Sequence, residues 1–190
     1  MIKNIFLSIG LIVTMGACSQ IAQQSNTLVN QNFGIKKIKN HYVIDTAMIL
    51  NNKNLDTLLV KLDNSELVDK NRTKDIPDFI NAFLTSATPD KFSIANPGEK
   101  WQSTDVVMEK LPNRQLIYLG IGSDLVLLTY YSGGIGESEH ILIFRYKDKD
   151  IIDFWCGNVL DDVKDKKGIV TLLKKNRNKH WGLNTNIIYL

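Results

Sequence analysis

Cysteine is scarce in this chain, with Cys18 and Cys156 the only two in 190 residues. One disulfide is the most they could make, so a multiply stapled scaffold is excluded and the fold must rest on its core. Proline is scarce too, at four, and no repeat of any period divides the chain. No apolar stretch reaches the roughly 20 residues of a spanning helix. Neither sign of charge dominates: 23 basic residues face 20 acidic ones, a net charge of +3. So small an excess gives no footing for nucleic-acid binding. Histidine is rare and scattered, at His41, His140 and His180, with no HxH or HxxxH spacing. Zinc ligands tend to come in such close pairs, so neither a metal nor a cofactor is expected.

What is present begins with a leader. Lys3 supplies one positive charge, residues 5–13 (IFLSIGLIV) form a short apolar core, and Thr14, Met15, Gly16 and Ala17 are mostly small. A charged start, a short apolar core and a small-residue exit read as a secretory signal. The whole chain is 44% hydrophobic and 23% charged, a globular balance, and the part after the leader is long enough for one domain of ordinary size.

The segment Met15-Gly16-Ala17-Cys18 resembles the lipobox of bacterial lipoproteins, in which two small residues precede an invariant cysteine. Met15 stands where leucine is more usual, a residue of similar size and polarity. The resemblance covers residues 1–18 and implies that Cys18 becomes the acylated N-terminus of the mature chain. Carrying lipid such as palmitate on its sulfur, Cys18 could not pair with Cys156. Ser19 resembles the outer-membrane form of the enterobacterial sorting rule. The implied location is the cell envelope, with the chain held at the outer membrane, facing the periplasm, and that membrane as its first partner.

Three parts follow: a signal over residues 1–17, a lipidated cysteine and tether over 18–32, and a single α+β domain over 33–190. Residues 19–32 (SQIAQQSNTLVNQN) carry no charge and no Gly or Pro. As a flexible coil they would reach roughly 20 Å. Residues 41–50 (HYVIDTAMIL) are β-branched and aromatic, which suits a strand. Leu55, Leu58, Leu59 and Leu62 have helical spacing, but LLVKL also suits a strand, and the expectation for residues 33–62 is two strands. Residues 75–86 are a helix by the spacing of Ile76, Phe79, Ile80, Phe83 and Leu84, with Asp75 as its cap and Pro77 in the first turn.

Four β-rich runs come next, at residues 116–121, 125–131, 140–146 and 151–159, with short turn-forming segments between them. Consecutive strands with short turns pair as antiparallel neighbours. Both faces of the third run are largely apolar, so something must cover each. Residues 161–175 start acidic and end basic, as suits a helix dipole, although Gly168 weakens the pattern. Residues 186–190 suit a short last strand. The expected class is α+β: an antiparallel meander of four or more strands with one or two helices against it.

Chemistry is thinly signalled. Cys156 follows Phe154 and Trp155 and reads as a buried core thiol rather than a nucleophile. Gly133, Gly134 and Gly136 lead into a strand, whereas phosphate loops lead into a helix, so they read as a wide hairpin loop. Asp148/Asp150 and Asp161/Asp162 suit solvated turns, and the basic cluster of Lys164, Lys166, Lys167, Lys174, Lys175, Arg177 and Lys179 a solvated helix face. The remaining signal is a contact surface: Tyr130, Tyr131, Gly133, Gly134, Glu137, Glu139 and His140 around the loop, extended by Asp153 and Trp155. Tyrosines offer large contact area at low entropic cost. The expectation is a binding module with a protein partner, not an enzyme, with an immunity protein or toxin inhibitor as one concrete form. The alternatives are an envelope assembly factor and an envelope hydrolase with an unseen site.

Overall fold

A computed structural model describes residues 33–39, 41–88, 91–106, 110–134, 136–159, 161 and 163–178. The four β-rich runs are strands in one antiparallel meander. In chain order the elements are β1 (Ile35–Ile38), β2 (His41–Ile44), α1 (Thr46–Leu50), α2 (Leu55–Asn64), β3 (Val68–Lys70), α3 (Asp78–Ala87), β4 (Arg114–Ile121), β5 (Leu125–Ser132), β6 (Ser138–Lys147), β7 (Asp150–Val159) and α4 (Lys166–Lys175). The main sheet runs β3-β4-β5-β6-β7, and β1 and β2 form a separate hairpin. Asp148 and Lys149 both adopt left-handed φ, at 51° and 66°, which is the turn that matches strand twist in a two-residue hairpin.

Side chains alternate across a strand, and antiparallel partners share a face. Partners Tyr130 and His140, Leu128, Leu142 and Cys156, and Val126, Phe144 and Phe154 therefore line one face. Tyr131 and Glu139, and Leu127, Ile143 and Trp155, line the other. The first is covered by α3, whose Phe83 ring lies 5.6 Å from Phe144 and 5.2 Å from Phe154. The second is covered by α1, α2 and α4. There Trp155 Nε1 donates to Asn52 Oδ1 at 3.2 Å, and Val163 N donates to Glu139 Oε2 at 3.2 Å. The double apolar character of β6 is thus satisfied by helices on both sides. The fold is α+β, with four helices among the described residues.

Several local expectations are corrected. Residues 55–62 are helical, with Leu55, Leu58, Leu59 and Leu62 all buried. Residues 41–50 split into β2 and α1, because the Asp45 carboxylate accepts from Met48 N at 2.9 Å and so starts a helix. Asp75 does not cap α3. It ends a 3₁₀ turn, Thr73–Asp75, since the residue before a proline is barred from helical ψ and Ile76 sits at ψ 124°. Helix α3 starts beyond Pro77.

Helix α4 starts at Lys166, later than its acidic approach suggested, capped by the Asp165 carboxylate on Gly168 N at 2.8 Å. Gly168 belongs there for space, because a Cβ would stand 2.6 Å from Val163 Cγ1. Cys18, the tether and residues 186–190 lie outside the described residues.

Candidate contact surface

The surface drawn from the sequence divides in two. Tyr130, Glu139, His140, Asp153 and Trp155 are buried. Their strands are central or flanked on both faces, and an alternating pattern cannot reveal a cover supplied by distant segments. Tyr131, Gly133 and Gly134 remain partly exposed, and Glu137 is exposed.

The buried members do structural work. His140 stacks on Tyr130 with centroids 5.1 Å apart and an interplanar angle of 6°. The Arg114 guanidinium lies 4.7 Å from the Phe92 ring centroid and 5.8 Å from that of Tyr130. Burial, aided by Arg114, lowers the His140 pKa to about 4, so its imidazole is neutral near pH 7. Ser138 Oγ lies 3.2 Å from its Nε2. Cys156 is buried, and burial raises its thiol pKa. That is the reverse of an activated nucleophile.

Asp153 fastens the incoming chain to the sheet. Its Oδ1 accepts from Gly34 N at 2.8 Å, Asn54 Nδ2 at 2.8 Å and Phe154 N at 2.9 Å. Desolvation raises its pKa in spite of these donors. Gly34 is required by close approach, since a Cβ would stand 1.9 Å from Phe154 O.

The exposed members acquire neighbours that the sequence did not announce. The Trp101 ring stacks on Tyr131 at 6.3 Å and 19°. Gly133 is squeezed against the same segment, where a Cβ would stand 2.1 Å from Gln102 O. Thr104 bridges to Gly134 in parallel fashion, and Gln102 Nε2 donates to Thr104 O at 2.8 Å and Val106 O at 2.6 Å. Val106 is 62% exposed. The glycine loop is therefore pinned along one side rather than free to adapt, and the free rim is Gly136, at φ 100°, with Glu137.

Sequence reasoning missed Trp101, which sits in the polar run GEKWQSTD (residues 98–105). A lone tryptophan in such a run was the available signal. The set Trp101, Tyr131, Val106 and Glu137 can offer a partner two stacked rings, an apolar flank and a carboxylate. Among the described residues, no group of three or more His, Cys, Asp or Glu is placed to hold a metal. No helix among them is long and apolar enough to cross a membrane. Compared with known family models, with curated proteins and with solved structures, the chain gives no match.

Proposed function

We propose that this chain is a lipid-anchored envelope protein that binds a protein partner through the Trp101–Tyr131 surface. The observation that carries the binding role is the stacked, partly exposed aromatic pair on a backbone pinned by Gly133 and Thr104. Rings held in place before binding lose little freedom on association. The anchor rests on the lipobox resemblance at Cys18. A domain tethered in the envelope with such a surface suits the capture of a protein arriving there, as an immunity protein or inhibitor would.

Affinity capture from native membranes, read by mass spectrometry, identifies the partner. Trp101→Ala and Glu137→Lys should then each weaken its capture about ten-fold, roughly 1.4 kcal/mol, with the melting temperature little changed. Undiminished capture by the Trp101→Ala/Glu137→Lys double variant would remove this surface from the function.

A further inference from the structure

The β1–β2 hairpin lies directly after the tether segment, and its two faces differ sharply. Ile35 and Tyr42 turn inward: Ile35 is buried, Tyr42 meets the Phe83 ring edge-on at 5.7 Å, and the Tyr42 hydroxyl accepts from Ile151 N at 3.2 Å. Register pairs Lys36 with Val43 and Ile38 with His41, so these four share the outward face. Ile38 and Val43 are diagonal neighbours on it, 49% and 45% exposed. Two large apolar side chains thus lie side by side on the outward face, flanked by lysine.

The charge around them is mainly positive. Lys39 sits at the hairpin tip in a left-handed conformation, φ 57°, and Lys37 pairs with Asp150. That ion pair sets the hairpin beside the β6–β7 turn, which adds Lys147 and Lys149. Across the hairpin and this turn, five lysines face two aspartates, and Lys37 occupies one of the two.

The hairpin is also the first described element after residues 18–32 of the sequence. The chain enters the fold at Phe33, over whose ring the Arg145 guanidinium sits at 5.3 Å, and at Gly34, held by Asp153. From Gly34 the hairpin runs past Ile151 to Asp150, so its tip points off the β6–β7 turn end of the sheet. The Trp101–Tyr131 surface is at the other end, a strand length of roughly 30 Å away at about 3.3 Å per residue.

We infer that the outward face of the β1–β2 hairpin docks on an anionic phospholipid surface, with Ile38 and Val43 dipping into the interface and Lys36, Lys39, Lys147 and Lys149 meeting headgroup phosphates. The inference rests on the anchoring of Cys18. A basic patch beside a lipid anchor adds electrostatic attraction to anionic headgroups. Docking by this end turns the Trp101–Tyr131 surface away from the bilayer.

The test uses the full-length protein in phosphatidylcholine vesicles with and without phosphatidylglycerol. Backbone hydrogen exchange is followed over residues 35–44, and the mass of the Cys18 peptide is read from the same preparation. With Cys18 acylated, exchange should slow several-fold only in the phosphatidylglycerol vesicles. High salt, or Lys36→Glu/Lys39→Asn, should abolish the slowing, as should Ile38→Ser/Val43→Ser. Equal exchange in both vesicle types with Cys18 acylated overturns the docking and leaves the anchor standing. An unacylated Cys18 overturns the anchor and the docking with it. Slowing that needs an added envelope protein rather than phosphatidylglycerol assigns the face to a protein and overturns the lipid reading.

Discussion

A single side chain, His140, gives the domain a stability that depends on pH. The folded state holds its pKa at about 4 against an ordinary 6.5, through burial first and Arg114 second. Below pH 6.5 the unfolded chain binds a proton that the folded chain refuses. Its contribution is therefore complete above the ordinary value and drains away as pH falls toward about 4. A shift of this size corresponds to roughly 3 kcal/mol. Asp153 acts in the opposite sense, because a raised carboxyl pKa favours the folded state at low pH and loses that advantage as pH rises. Comparison with a variant separates the two. His140→Phe keeps the ring against Tyr130 and removes the proton site, so its denaturation midpoint should fall less than that of wild type between pH 7 and pH 4.5. Parallel urea titrations at the two pH values measure this, and equal losses in both proteins would place the acid sensitivity elsewhere.

At the scale of elements, α2 is the informative case, since the same leucines suited a strand. Leu58 and Leu62 are fully buried, whereas Val60 is 62% exposed. Truncating a buried leucine leaves a cavity, so Leu58→Ala should cost about 2–5 kcal/mol. Val60→Ala on the outer side should cost no more than about 0.5 kcal/mol. Chemical denaturation gives both numbers, and comparable losses at the two sites would contradict a one-sided helix. The sheet also needs its outer edge managed, because unpaired strand groups invite other chains. On β7 that is done by side chains rather than another strand: Tyr42 accepts from Ile151 N, and Asn54 donates to Phe154 O at 3.0 Å. The same side chains and Asp153 hold the N-terminal hairpin and α2 to the meander.

At the scale of the whole molecule, the proposed function depends on a lipid anchor at Cys18. Cys18→Ser tests the premise. The variant should lose incorporation of an alkyne fatty acid and leave the detergent-extractable membrane fraction. Labelling that persists on the serine variant would refute the lipoprotein reading. The variant's folded core should be unaffected, because Cys156 is a buried free thiol and owes Cys18 no bond.

Local chemistry by itself determined the meander. Strand alternation, short polar turns and the apolar face of α3 are set by residues within a few positions of one another, so they are legible without partners. The sequence also determined that both faces of β6 must be covered, because no alternation leaves one of them polar. Only the tertiary structure decided what does the covering. It made residues 55–62 a helix, since a four-leucine stripe suits either period until there is a sheet face and a helix α4 to pack on. It also buried His140, Asp153 and Trp155, because a polar or aromatic side chain carries no mark of the segment that will lie over it. Trp101 and Tyr131 meet across 30 positions of chain, a pairing fixed by Gly133's close approach to Gln102. Such a contact depends on the closure of a long loop and on the shape of two backbones together, and neither is written in the residues at either end.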